Sequence, residues 1–186
     1  MSPWTLPTSL TVGDVGYQIN TDFRTVLYIL QIFGDPDYEQ DEQAAICLRV
    51  LYPDWESIPP DRYQEALERA MEFIDAGVPS DSGKKPRTVD FEQDAGLIIP
   101  AVNRVLGQEV RSIPYLHWWT FLGAYMEIGE SLFSTVVGIR QKKAKGKKLE
   151  KHELEFYKTN RAMVEMKKRE TEQDIRRKEE LRRLFV

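Results

Sequence analysis

The chain has 186 residues, 41% of them hydrophobic and 30% charged, which suits one domain of usual size plus an extension. Its single cysteine, Cys47, excludes an internal disulfide, no apolar run approaches the ~20 residues of a membrane span, and no basic-then-apolar leader opens the chain, so a cytoplasmic protein is expected. The formal net charge of −4 hides an asymmetry: residues 1–139 carry 9 basic and 21 acidic side chains (net −12), residues 140–186 carry 17 and 9 (net +8), an acidic body and a basic arm that fit self-association or an acidic partner.

Residues 8–19 read as a β-hairpin, two short β-prone runs flanking the turn pair Gly13-Asp14. A hairpin alone is marginal in water, so it must lean on a helix. Residues 22–33 read as that kind of helix: Thr21 can cap it, Asp22 suits its positive end, Phe23, Val26, Leu27, Leu30 and Phe33 share a face, and Gly34-Asp35-Pro36 stops it. A second helix runs from about Tyr38 to Leu51 and holds Cys47 as a small core residue. A third follows Pro59-Pro60, with the stripe Tyr63, Leu67, Ala70, Met71, Ile74 and Gly77 as its stop.

Residues 77–89 have linker composition. Asp90 and Gln93 then have capping-box spacing before a helix carrying Phe91, Ala95, Ile98, Val102 and Val105. Pro100 lies inside that pattern and predicts a kink in one helix, not a division into two. Pro114 opens a helix to about Ile128. Gly129 separates it from a helix holding Leu132, Phe133, Val136, Val137 and Ile139, and the two are expected to form a helical hairpin. Lys142–Lys148 reads as a basic hinge, and 149–185 as one long charged helix with sparse apolar positions. The expected fold is mainly α: a helical bundle with a small N-terminal β-hairpin and a long charged C-terminal helix, divided into a helical domain over 1–148 and an arm over 149–186.

Patterns that could carry chemistry fall short of it. Asp35, Asp37, Glu39 and Asp41 alternate like a calcium loop, but Gln40 and Ile46 stand where glycine and the closing glutamate belong. His117 and His152 are far apart and lack cysteine partners for zinc. Gly77 to Gly83-Lys84-Lys85 has the wrong spacing for a phosphate loop. Asp90 and Asp94 share a helix face, where first-turn carboxylates ordinarily serve the helix dipole. The lysine cluster 142–148 could meet nucleic-acid phosphates, but aromatics are not interleaved with it and the whole chain is acidic, which argues against nucleic acid.

What remains is the aromatic segment. Trp118, Trp119, Phe121 and Tyr125 fall within eight positions, and at helical spacing Trp118 and Trp119 point about 100° apart. All of them cannot face one core. At least one of Trp118, Trp119 and Tyr125 is expected to be partly exposed, and these four are the candidate partner contacts, since tryptophan and tyrosine concentrate binding energy. A surface this apolar, with no activated nucleophile or metal set beside it, points to a protein that holds another protein and not to an enzyme.

Ile19-Asn20-Thr21-Asp22-Phe23-Arg24, Phe91-Glu92-Gln93-Asp94, Ile98-Ile99-Pro100-Ala101-Val102-Asn103 and above all Tyr115 through Arg140, running into Lys142–Lys151, resemble the tail assembly chaperones of long-tailed bacteriophages, in the branch called the bacteriophage gene product fifteen protein. The resemblance covers roughly residues 8–160. It implies a protein that coats and solubilises the tape measure protein in the host cytoplasm, gives way as tail tube protein polymerises, and is not expected in the mature virion. It implies no catalytic, cofactor or metal residues to carry across, and it allows a longer frameshifted partner. The alternatives are a structural tail subunit retained in the virion and, behind it, an accessory nucleic-acid-binding protein.

Overall fold

The structure, a computed structural model, describes residues 4–76, 87–167 and Thr171. The described chain forms two compact units, one gathering Pro7–Asn20 and Arg24–Ile74, the other Thr21–Phe23 and Asp75–Lys167 with residues 4–6. Mainly helical content with one small antiparallel hairpin is the architecture the sequence calls for.

In the N-terminal unit the hairpin pairs β1 (Ser9–Val12) with β2 (Val15–Gln18), Val12 opposite Val15 and Ser9 opposite Gln18. Gly13 takes the first position of the two-residue turn at φ +60°, a conformation that costs a side-chain-bearing residue strain. The hairpin does lean on a helix. Leu10 and Val12 are buried, and the Gly13 N–H donates to Glu65 Oε1 of α3 (Tyr63–Ile74) at 2.9 Å. That hydrogen bond, with Arg62 behind it at 3.0 Å, holds the Glu65 carboxyl below its ordinary value. The hairpin's exit closes α2 (Gln40–Leu51): the Asn20 N–H donates to the Leu51 carbonyl and its side-chain amide to the Val50 carbonyl, both at 2.7 Å. Two carbonyls that a helix C-terminus leaves without partners are thus satisfied.

Cys47, Leu51, Tyr52, Ile58, Ala66, Ala70 and Phe73 form the buried centre of this unit, and Tyr52 Oη donates to the Ala66 carbonyl at 2.8 Å. Burial pushes the Cys47 thiol up to about 12. From Arg24 on, α1 (Phe23–Phe33) buries Val26, Ile29 and Ile32, while the expected Leu27, Leu30 and Phe33 are half-buried. The outward side is marked at Arg24 and Tyr28, and the inward face advances from Val26 in steps of three, to Ile29 and Ile32. The expected stop of α3 at Gly77, and 77–86 of the expected linker, lie outside the described residues.

The C-terminal unit is built on α4 (Ala95–Leu106), against which both α5 (Trp118–Met126) and α6 (Leu132–Ala144) pack. One helix runs through Pro100, as expected. It ends at Gly107, φ +70°, whose N–H closes on the Asn103 carbonyl at 2.8 Å. The turn before α4 is a capping box closed differently from the expected pairing. Asp90 Oδ1 accepts from the Gln93 N–H at 3.0 Å, but the Asp90 N–H returns to Asp94 Oδ2 at 2.9 Å, and the Gln93 side chain reaches the Glu165 carbonyl and the Lys167 N–H. Pro114 lies outside α5. The chain stays extended to His117, pairs with the segment at Asp22, and begins to coil only at Trp118, where His117 Nδ1 accepts from the Trp119 N–H at 3.1 Å.

Asp94 does not merely face a helix dipole. Its carboxylate meets Arg140 side by side, Nη1 to Oδ2 at 2.6 Å and Nη2 to Oδ1 at 2.9 Å, both side chains almost wholly buried. Arg140 Nε donates to the Val164 carbonyl at 2.7 Å, Nη1 to that of Thr88 at 3.1 Å and Nη2 to that of Met163 at 2.9 Å. All five guanidinium N–H groups have an acceptor, so this clamp joins the start of α4, the end of α6 and the segment 163–164.

The expected long C-terminal helix is interrupted. Residues 151–164 form α7 (Lys151–Thr159) and α8 (Arg161–Val164), parted at Asn160, whose side-chain amide donates to the Phe156 carbonyl at 3.0 Å. Val164 is buried with Val136 and Ile139, flanked by Leu149, Phe156 and Met163. Residues 149–167 are therefore part of the same compact unit as α4–α6 and not a separate arm. The break has a physical cause: turning at Asn160 brings the sparse apolar positions of this stretch, and two carbonyls, onto a body that needs them. Residues 168–185 of the expected helix lie outside the described residues, Thr171 apart.

Candidate partner-docking site

The four aromatic candidates separate by depth. Trp118 (1% exposed) and Phe121 (3%) are core: the Phe121 ring stacks on Phe23 at 4.6 Å and on Trp118 at 5.8 Å. These two, expected as partner contacts, are shut inside the unit, because the His117 cap fixes the start of α5 with that face inward. Trp119 and Tyr125 are half-buried, as the spacing argument requires. The Trp119 ring sits edge-on to His117 at 6.2 Å. Tyr125 lies between Phe91 (5.5 Å) and Phe133 (5.7 Å), where burial, with Asp94 nearby, pushes its hydroxyl up to about 12. The expected α5–α6 hairpin amounts to this Tyr125–Phe133 contact together with the shared packing of both helices on α4.

Part of the exposed apolar surface lies beside that pair. Between α4 and the start of α6 a groove of about 200 Å³ is lined by Leu97, Pro100, Ala101, Leu132 and Phe133, with Gly96, Arg104 and Ser131 at its margins. Leu132 is 47% exposed, and Val105 and Met126 are 40% and 68% exposed. Two features of sequence keep the groove open. Gly96 puts no side chain there; a Cβ added at it would meet nothing within 4 Å. Ser131 caps α6, its Oγ accepting from the Ser134 N–H at 3.0 Å, so that Leu132 at the first helical position points outward while Phe133, about 100° further round, points in. Reading 132 and 133 as one apolar pair missed this; the serine immediately before them is the signal that separates them.

The basic hinge has a different character from the one its composition suggests. Gln141–Ala144 finishes α6, and only 145–148 forms a loop, turned at Gly146 with φ +64°. Lys142 Nζ lies 2.6 Å from Glu153, and Lys143 Nζ lies 2.6 Å from Glu165 and 3.9 Å over the Tyr157 ring. Lys143, and then the Tyr157 hydroxyl, hold the Glu165 carboxyl below its ordinary value. Among the described residues, no group of three or more His, Cys, Asp or Glu could hold a metal ion, and no helix is long and apolar enough to cross a membrane.

This arrangement of an N-terminal hairpin, a proline-bearing α4 and an aromatic α5 followed by a lysine-rich helix end falls within one family model, Bacteriophage Gp15 protein, which matches residues 5–166. The chain belongs to that family. It is a bacteriophage protein of the structural or morphogenesis kind. No curated protein and no solved structure matches the chain. The Gp15 match takes in both units, the groove and the clamp, ending inside the segment 163–167 that Arg140, Lys143 and Gln93 hold.

Proposed function

We propose that this Gp15-family protein is a non-enzymatic tail assembly chaperone that binds and solubilises the tape measure protein in the host cytoplasm and gives it up to tail tube protein. The observation that carries the reading is the uncovered apolar groove between α4 and α6, with Leu132 exposed at its edge. A protein that must shield a long, helical, apolar client needs such a surface on a body that keeps its fold when the client leaves. Self-association of copies along the client is part of the reading, supported by the opposite net charges of 1–139 and 140–186.

Co-expression with the tape measure protein tests it. The expected result is a soluble complex recovered by pull-down, with the tape measure protein insoluble when expressed alone. Recovery of the tape measure protein in the same insoluble state with and without this chain would overturn it. Mass spectrometry of purified virions separates the chaperone reading from that of a retained tail subunit: the chaperone is depleted from mature particles, the subunit is present at fixed stoichiometry.

A further inference from the structure

Building on the chaperone reading, we infer that the α4–α6 groove is the client-recognition site, and that it takes a helical segment of the tape measure protein presenting one large apolar side chain with a carboxylate about one helical turn away. Volume sets the first requirement. An apolar cavity of about 150 Å³ accepts a benzene ring, so a groove of about 200 Å³ takes one leucine- to phenylalanine-sized group and not a whole second helix. The lining sets the kind of contact. The lining comes from two helices and the turn before the second, with no strand residue among it, which suits the apolar face of a helix laid across and not an added strand.

Charge sets the second requirement. Arg104 stands at the groove margin with Nη2 donating to the Glu130 carbonyl at 2.8 Å, which fixes the guanidinium while using one of its donors. Among the described residues it makes no ion pair. The remaining donors of Arg104 favour an incoming negative charge and disfavour a lysine there.

Two substitutions on the full chain test this with the co-expressed tape measure protein as the probe. Gly96→Leu fills the groove from a helical position with open space around it, so it blocks docking without disturbing the core; its melting temperature should hold or rise, since leucine is the better helix former. Arg104→Glu reverses the margin charge. Each should lower capture by about tenfold or more, and Arg104→Glu should shift preference, among peptides tiling the tape measure protein, from acidic towards basic apolar segments. Wild-type capture that both variants retain in full would overturn the groove assignment while leaving the chaperone reading standing. No capture by wild type would remove the chaperone reading itself. Unchanged capture with a changed self-assembly mass would mean that the groove belongs to a second copy, and would equally overturn the assignment.

Discussion

Arg140 and Arg104 belong to the same unit and lie against the same helix, yet the first has all five donors engaged in the interior and the second engages one at the surface. Around Arg140, three carbonyls from two separate stretches of chain converge on a single charge pair. Around Arg104, a glycine and a proline keep side chains and one backbone donor away. One end of α4 is closed by polar groups that must all be present at once, and its outer face is left open in an apolar groove. The lesson is that fixed and available surface can sit within three helical turns of each other when the fixed part is held by hydrogen bonds of defined geometry.

The comparison breaks most visibly at the clamp. Arg140→Ala leaves the Asp94 carboxylate buried without its partner, and Asp94→Ala does the reverse; each should cost about 3–5 kcal/mol of stability, read as the midpoint of urea unfolding. Ending the chain at residue 160 removes the Met163 and Val164 carbonyls and should be similarly damaging. Ending it at 167 retains every clamp partner and should leave the midpoint close to wild type. A chain ended at 148 that still unfolded cooperatively at the wild-type midpoint would contradict the assignment of 149–167 to the body.

A second prediction sharpens the division within α5. Trp118→Ala removes a buried ring stacked on Phe121 and should cost about 3–5 kcal/mol by thermal denaturation. Trp119→Ala, at a half-buried position, should cost clearly less. Equal losses would place both indoles in the core.

The smallest expected effect is a pH dependence away from both regions. In the turn after α4, hydrogen bonds from Arg111, with help from Asn103, hold the Glu109 carboxyl down at about 2, against 4.5 for an ordinary glutamate. In this window the unfolded chain binds more protons than the folded one, so stability rises with pH. The contribution is fully present above about pH 4.5 and is lost as pH falls through about 2. Carboxyl-carbon NMR should find Glu109 still ionised at pH 3.5; a midpoint at the ordinary value would show that the Arg111 pairing does not persist in solution.

The hairpin and the single helix through Pro100 were legible because glycine and proline act locally. Glycine allows a positive φ and proline withholds one donor, whatever the rest of the fold does. The buried face of α1 was legible only in part: Val26 is buried as expected, but the inward row runs on to Ile29 and Ile32, and local pattern does not choose between these and Leu27 and Leu30. The clamp could have been found. Arg140 continues the Phe133–Val136 stripe of α6, and Asp94 continues the stripe of Ile98 and Val102. A charge in register with an apolar face requires a partner, and two such charges on neighbouring helices suggest each other. Counting Arg140 with the basic arm, and reading Asp94 as a dipole complement, hid that register. The break at Asn160 and the outward turn of Leu132 depend on what the rest of the unit offers, and local pattern does not report that.

Cys47 gives this protein a clock of its own. Thiol reagents react with the thiolate, and this thiol is both sealed at 0% exposure in α2 and held up at about 12 by its burial. Labelling must wait for the N-terminal unit to open. With one cysteine in the sequence, the rate at which a full-length chain takes up a single alkyl group, followed by mass, measures the opening of that unit alone, with no engineered probe. Run with and without a captured client, the same measurement would report whether binding on α4–α6 slows opening in α2, and so whether occupancy of one unit is felt in the other.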